Sequence, residues 1–177
     1  PMLLPLLVFD YIQLTIQQGI VPESVYGFAA YGFLLAGHLG DYRRGLDFAQ
    51  RAMSLLDLPE NKRVHARTTM VAHWFVMHWS RPMRESLEPL LLGWRAGLET
   101  GDVEFGVYAA NGRTLLRMFV GDPLSDVAAE AAVYADTCRR LDSVPGERLA
   151  RLFLSVANKL MGVPQDPAGL RPEQQDA

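Results

Sequence analysis

The 177-residue sequence has one cysteine, little net charge and no long apolar run, and each of these absences excludes a class of protein. Cys138 has no partner for an internal disulfide, which favours a reducing, cytoplasmic compartment. A formal net charge of −3 does not provide the basic footprint that nucleic-acid binding needs. The apolar stretches at residues 3–9 and 71–79 fall short of the ~20 residues of a membrane helix. We therefore expect neither a nucleic-acid partner nor a membrane-spanning segment.

The sequence also lacks the motifs that usually identify a chemistry. Its glycines form neither a GxGxxG pattern nor a P-loop, so no phosphate-binding turn is indicated. The start of the chain has no basic n-region and no small-residue cleavage site of a signal peptide. It begins at Pro1 instead of Met, which suggests a piece of a longer protein. For this piece we expect no cofactor and no enzymatic activity.

What the sequence does contain is helical periodicity, without the period-2 alternation of a strand. Residues 23–56 predict two helices folded back on each other across the turn Gly40-Asp41-Tyr42. The first of these helices is lined with small residues that would let a neighbouring helix approach closely: Gly27, Ala29, Ala30, Gly32 and Ala36. Asp41 is predicted to cap the second helix, and Asp102 to cap a later one.

The same periodicity predicts an all-α fold of about eight helices. The expected helices are, approximately, Leu3–Gln18, Glu23–Leu39, Tyr42–Leu58, Lys62–Trp79, Met83–Thr100, Val103–Val120, Pro123–Leu141 and Gly146–Met161. The first of them is apolar on most of its surface, so it should be covered on most of it. In a piece of a longer protein it would instead expose a face that meets a preceding domain.

The helical pairs repeat at roughly 40 residues. Ala29-Ala30-Tyr31-Gly32 recurs as Ala109-Ala110-Asn111-Gly112, and similar turns follow at Gly40-Asp41-Tyr42, Ser80-Arg81-Pro82 and Gly121-Asp122-Pro123. One hairpin cannot bury its faces alone, but stacked hairpins can. Residues 1–162 are therefore predicted to form an α-solenoid of antiparallel helical hairpins, tetratricopeptide-like but with a period above the usual ~34 residues. Residues 163–177, rich in Pro, Gln and Asp, are predicted to be a linker or disordered tail.

Several segments resemble one family of multidomain signalling proteins. They are Glu23–Met53, HWSRPMRESLEPLLLGWRAGLETGD at His78–Asp102, and the shorter runs EFGVYAANG and GDPLSD. They resemble the helical region of very large bacterial and fungal proteins that carry a serine/threonine-kinase-like domain, an AAA-type ATPase domain, a tetratricopeptide-like segment, a GAF domain and a sensor histidine kinase. The resemblance covers roughly Leu3 to Leu141. It implies a relay or scaffold segment between an ATPase and a sensor kinase, and it implies no catalytic residue.

The histidines and the cysteine are the candidates for chemistry. His73 and His78 are five residues apart, so they do not share a helix face as a metal-binding pair at i and i+4 would. Partly buried histidines in an aromatic-rich helix are the simpler interpretation, and a metal or catalytic role is the alternative. His38 and His65 are predicted to be cap or surface residues. Cys138 lies on an apolar stripe and is predicted to be a small core residue.

A binding surface would lie on the concave side of the predicted solenoid, which the first helices of the hairpins line. The candidate interaction residues there are His38, Trp74, His78, Asn111, Arg113 and Arg117. Arg113 and Arg117 are four residues apart on one helix, which suits a clamp for an acidic peptide or a carboxylate. Ordinary surface arginines are the alternative.

These features leave two main functional hypotheses, and a third that they favour less. The first is a non-enzymatic helical-repeat scaffold or signal-relay segment of a multidomain kinase/ATPase, which contacts neighbouring domains or a partner protein. The second is a small-molecule-sensing helical module that regulates a downstream kinase domain. The third is an enzyme that uses His73 or His78. Exposed ends of the predicted solenoid would also allow a homodimer.

Overall fold

The computed structural model describes residues 3–163, and within this range the chain forms eight α-helices and no strand, which confirms the all-α prediction. The helices are α1 (Leu3–Gln18), α2 (Pro22–Phe33), α3 (Tyr42–Leu56), α4 (His65–Met70), α5 (Leu87–Thr100), α6 (Val103–Phe119), α7 (Leu124–Arg140) and α8 (Val144–Leu160). Apart from Val163, the predicted linker or disordered tail, residues 163–177, lies outside the described residues.

Three of the predicted helices are not regular over their whole length. The one predicted from Met83 begins with a 3₁₀ segment, Met83–Ser86, and α5 follows it. Helix α2 continues as a π-helical segment, Leu34–His38, and α4 continues as a second π-helical segment, Val71–Val76. A 3₁₀ segment, Pro59–Val64, precedes α4, where one continuous helix was expected from residue 62. The segment Val71–Val76 contacts α2, α3, α5 and α6. Packing on four sides thus decides its conformation against the simpler helical propensity of the sequence.

The helices pack in a regular order. Each helix contacts the next one along the chain, and α2, α4, α6 and α8 also contact one another in series. The largest core cluster lies between α2, α3, the α4 region, α5 and α6, and a second cluster joins α5 and α6 to α7 and α8. Cys138 belongs to the second cluster and is fully buried, as predicted.

Glycines set the closest approaches between helices. A Cβ atom placed on Gly32 would lie 2.7 Å from the carbonyl oxygen of Gly45 on α3. A Cβ on Gly97 of α5 would lie 2.6 Å from the Cα of Gly106 on α6. Real Cβ atoms do not approach backbone atoms this closely, so the backbones touch where the side chains are missing. The predicted use of Gly32 for close approach is confirmed.

The two predicted helix caps differ in outcome. The carboxylate of Asp41 accepts a hydrogen bond from the backbone N–H of Arg44 at 3.0 Å and caps α3, as predicted. The side chain of Asp102 makes no such bond to α6. It instead receives two hydrogen bonds of 2.9 Å from the guanidinium of Arg67 on α4. The capping role of Asp102 was therefore wrong, because a cation of another helix competes for the same carboxylate.

This difference can be tested with Asp102→Ser. Serine is as good a capping residue as aspartate, but it cannot pair with the guanidinium of Arg67, which also stacks over the rings of Tyr26 and Phe105. We expect the variant to lose about 1–3 kcal/mol of unfolding free energy, measured by urea denaturation. A variant as stable as the parent would contradict a stabilising role for the pair with Arg67.

Helix α1 leaves much of its apolar surface uncovered. Its exposed large side chains include Leu3, Leu6, Leu7, Phe9, Leu14 and Ile16, and Ile16 is 79 % exposed. Of its side chains, Val8 is buried, in a small cluster with Ala30 and Leu34. The described part of α1 is therefore an apolar helix with an open face, which is the second of the two outcomes expected for it. Between residues 3 and 163 no helix combines the length and apolar character needed to cross a bilayer.

Candidate functional site

Two of the six candidate interaction residues lie away from the protein surface or nearly so. Asn111 is completely buried, and its Nδ2 atom donates to the carbonyl oxygen of Val107 at 3.0 Å. Trp74 is half-buried, stacks on Phe75 with ring centroids 5.0 Å apart, and packs against Gly112. Trp74 packs the π-helical segment onto α6, and the Nδ2 atom of Asn111 also donates to the carbonyl oxygen of Gly146 on α8 at 3.5 Å. Asn111 is therefore out of reach of an external partner.

The two candidate histidines at the first and second turns are more accessible. His38 is exposed and lies with its ring 5.2 Å from that of Phe33. His78 is half-buried, and its Nδ1 atom is buried without a hydrogen-bond partner among the described residues. Burial lowers the pKa of His78 below its ordinary value. The exposed Trp79 stacks on Tyr42 beside it, which joins the first two turns through an aromatic contact.

Arg113 and Arg117 do clamp a carboxylate, but it is one of the chain's own. Both guanidinium groups pair with Glu130 on α7, and Arg117 also pairs with Asp122 in the preceding turn, at 2.8 Å. Arg113 donates a further hydrogen bond to the carbonyl oxygen of Leu87. The exposed fractions of the two arginine side chains are 15 % and 14 %. Their donors are thus largely used inside the fold.

Glu130 is the residue of this network that the sequence analysis missed. Besides the two arginines, its carboxylate accepts a hydrogen bond from the hydroxyl of Tyr134. Burial, and secondarily the neighbouring carboxylate of Glu130, raise the pKa of Tyr134 above its ordinary value, so this phenol remains a donor. A signal was present in the sequence: Glu130 lies three residues after Val127 and four before Tyr134, on the buried stripe of α7. A carboxylate at such a position needs a cationic partner inside the fold.

A cavity of about 360 Å³ lies between α3 and the corner where the α4 region turns into α5. Its wall includes His73, whose Nδ1 atom shares a 3.1 Å hydrogen bond with the hydroxyl of Ser86. Both side chains are buried, with 7 % of His73 and 2 % of Ser86 exposed. The π-helical segment Val71–Val76 carries His73 into this position. Among the described residues, no group of three or more His, Cys, Asp or Glu side chains is placed to hold a metal ion.

The buried imidazole predicts a pH dependence of stability. Burial, and secondarily the positive charge of Arg81, lower the pKa of His73 from 6.5 to about 4. Below pH ~6.5 the imidazole of His73 is protonated in the unfolded chain but stays neutral in the folded chain, so the unfolding free energy falls as the pH falls toward 4. Since one pKa unit corresponds to about 1.36 kcal/mol, this group removes about 3 kcal/mol over that range.

The contribution of His73 can be isolated with His73→Gln. Glutamine has a hydrogen-bonding group for Ser86 but does not titrate. We expect the difference in unfolding free energy between the parent and this variant to shrink by about 3 kcal/mol from pH ~7 to pH ~4, measured by urea denaturation at each pH. Other titrating groups cancel in the difference. Parallel pH profiles would contradict a neutral buried imidazole.

Comparison with known proteins gives one distant relative in the signalling field. The chain is 25 % identical over 174 residues to hybrid signal transduction histidine kinase G of Dictyostelium discoideum. The match covers 97 % of this chain but only 5 % of that kinase. No family model matches the chain, and no solved structure matches it. The chain is thus distantly similar, over almost its whole length, to a small segment of a signal-transduction protein.

Proposed function

We propose that this chain is a non-enzymatic scaffold or relay segment of a cytoplasmic multidomain signalling protein of the kinase/ATPase type, and that it works through contacts with neighbouring domains or a partner protein. The observation that carries the proposal is the open apolar face of α1, where Leu6, Phe9 and Ile16 are each more than half exposed. Single exposed apolar residues are ordinary, but a row of them along one helix is typical of an interaction surface. The similarity to a segment of a histidine kinase supports a signalling context.

The arrangement proposed for the fold is an α-solenoid of the tetratricopeptide-like kind. The serial contacts of α2, α4, α6 and α8 support it, because first helices of stacked hairpins meet in this order. A second observation is four exposed apolar side chains: Leu39 directly follows the π-helical continuation of α2, Trp79 lies three residues beyond that of α4, Phe119 ends α6 and Leu160 ends α8. Their spacing follows the repeat of roughly 40 residues. In a stack of hairpins, these equivalent positions would form one edge.

The proposal is tested by placing a photo-crosslinking amino acid at Ile16, in the natural host and in the longest natural form of the protein. We expect crosslinks to one defined surface, either another segment of the same polypeptide or one partner protein, identified by mass spectrometry. The variant Phe9→Asp should abolish these crosslinks while its helical content, measured by circular dichroism, stays unchanged.

Two controls define the outcome. A crosslinker at Glu88, an exposed polar position of α5, should give no defined product. A crosslink from Ile16 to Ile16 of a second copy would identify a homodimer as the contact that α1 makes. Indiscriminate or absent crosslinking from Ile16 would contradict the relay function.

A second candidate function, a small-molecule-sensing module, is favoured by one observation. The cavity beside His73 brings polar side chains from α3, the π-helical segment and the start of α5 to one place. Ligand sites in proteins combine a concave shape of this size with a few convergent polar groups.

A further inference from the structure

The cavity beside His73 has charged groups of both signs at its mouth. Arg81 and Glu85 line it, and their side chains are 47 % and 54 % exposed. The closest guanidinium nitrogen and carboxylate oxygen are 3.6 Å apart, so the two groups form an exposed ion pair but no hydrogen bond. The guanidinium of Arg81 and the carboxylate of Glu85 make no hydrogen bond to any side chain or backbone atom of residues 3–163. Each charge therefore keeps its hydrogen-bonding capacity for another molecule.

The lining opposite these two charged groups is different. The side-chain amide of Gln50 lines it and has no hydrogen-bond partner within the described part of the chain, so it can both donate and accept. The thioether side chains of Met53 and Met77 form an apolar wall. Methionine side chains adapt to irregular apolar shapes. The interior thus suits a short, flexible, mostly apolar group.

Contacts with buried residues hold the backbone of Arg81 and Glu85 in place. The hydrogen bond between His73 and Ser86 joins the π-helical segment to the residues that open α5, and Glu85 is the neighbour of Ser86 in the chain. Arg81 lies in the turn between the two segments, where its backbone N–H donates to the carbonyl oxygen of Met77. The positions of both charged residues are therefore fixed to buried structure, although their side chains reach solvent. A π-helical turn at such a place is common at functional sites.

We propose that this cavity binds a small zwitterion of the amino-acid class, with its carboxylate on Arg81, its ammonium group on Glu85 and its side chain between Met53 and Met77. A planar guanidinium suits a carboxylate, because it donates two parallel hydrogen bonds. A carboxylate of opposite charge next to it selects a ligand with both charges over a simple anion. The volume of about 360 Å³ is at the lower end of ligand sites, which fits an amino acid better than a nucleotide.

This inference goes beyond the scaffold function and does not depend on it, since the cavity and the open face of α1 lie on different elements. The site would allow a relay segment to respond directly to a small ligand. A bound zwitterion would join α3 to the start of α5 through its two charges and its side chain. Crosslinking at Ile16 and ligand binding at Arg81 can therefore fail separately.

The test is a titration of the isotopically labelled 177-residue chain, followed by nuclear magnetic resonance. The zwitterionic probes are L-methionine, L-leucine and L-glutamine, each added alone. We expect at least one of them to bind saturably, with a Kd of about 1 mM or lower, and to shift the amide signals of Gln50, Ser54 and Ser86. If none of the three binds saturably at this site, the proposal is overturned.

The role of each charge is tested with truncated probes and two variants. Methionine without its amino group should bind through Arg81 alone, and methionine without its carboxyl group through Glu85 alone. Arg81→Gln should lower the affinity for the zwitterion and for the probe without an amino group about tenfold or more. Glu85→Gln should lower the affinity for the zwitterion and for the probe without a carboxyl group by a similar factor. The matched controls Arg95→Gln and Glu88→Gln, at exposed positions of α5 outside the cavity, should change no affinity.

Each remaining outcome decides the proposal. If Arg81→Gln and Glu85→Gln leave the affinity of the zwitterion unchanged, its charges are bound elsewhere and the assignment is wrong. If they weaken binding only because the fold is lost, the amide spectrum and circular dichroism of the variants will show it. In that case Arg81→Lys, which keeps the charge but not the paired donors, still distinguishes the two roles by weakening the carboxylate probe more than the amine probe.

Discussion

Glu130→Gln is expected to cost about 3–5 kcal/mol of unfolding free energy. The carboxylate of Glu130 is the shared acceptor for Arg113 and Arg117, whose side chains are largely withdrawn from water. Without it, two like charges lie four residues apart on α6, and Arg113 keeps no carboxylate partner among residues 3–163. Removing one partner of a buried ion pair lowers the unfolding free energy by more than the pair itself contributes, because the other charge remains buried without a partner.

The measurement is urea denaturation of the parent and the variant, followed by circular dichroism. The matched control is Asp136→Asn on the same helix, α7. Asp136 also pairs with two arginines, Arg139 and Arg140, but these are 58 % and 69 % exposed. Exposed ion pairs contribute little, so we expect a change of about 1 kcal/mol or less in the control. Equal losses in both variants would mean that burial does not determine the importance of the Glu130 network.

The same network predicts an acid limit of stability. Burial alone would raise the pKa of Glu130, but hydrogen bonds from Tyr134, Arg113 and Arg117 outweigh it and hold the pKa below its ordinary value of 4.5. The contribution of this carboxylate is therefore complete above pH 4.5 and is lost as the pH falls through the folded-state pKa. As the pH falls, the loss of stability due to Glu130 therefore begins at a lower pH than the loss due to the imidazole of His73.

Gly32→Ala is the second substitution with a large expected effect, of about 1–3 kcal/mol. An added methyl group would lie 2.7 Å from the carbonyl oxygen of Gly45 and 3.3 Å from the backbone nitrogen of Ala49. Both are backbone atoms of α3, so the whole helix has to move. In an exposed helix the same exchange stabilises, because alanine has the higher helix propensity. Helix propensity alone would make the variant more stable, so a loss of stability would have to come from the close contact with α3.

The control for this substitution is Gly37→Ala in the π-helical segment Leu34–His38. Gly37 is exposed, and the nearest atom to an added Cβ, at 3.1 Å, belongs to the ring of Phe33, which has to shift by only a few tenths of an ångström. We expect no loss, or a gain of a few tenths of a kcal/mol. Thermal unfolding of both variants gives the comparison. A Gly32→Ala variant as stable as its Gly37→Ala counterpart would mean that α2 and α3 are not in backbone contact.

The helices could be predicted from the sequence because their signals are local. Apolar spacing, the Gly-Asp turns and the small residues around Gly32 each act within one or two turns of helix. The π-helical segment Val71–Val76 could not be predicted in this way, since contacts with four other helices determine it. Asp102 failed as a cap for the same reason: Arg67, which takes its carboxylate, is 35 residues away in the chain.

The candidate site was harder to predict than the fold. A pattern could place Arg113 and Arg117 on one face of α6, but it could not tell that the carboxylate they clamp is Glu130 of the same chain. Likewise, His73 and Ser86 are unremarkable as single residues in the sequence. They become a pair only because the π-helical segment and the start of α5 face the same cavity.

The π-helical segment Val71–Val76 also has a consequence for tolerance to deletion. A π turn holds one residue more than an α turn, since its hydrogen bonds join residues five apart instead of four. Removing one residue from a regular helix rotates everything beyond it by about 100°, whereas removing one here would let the segment close into an ordinary α-helix with its far end in register. The spare residue is therefore dispensable for the helix, and what its removal would change is the direction in which His73 points.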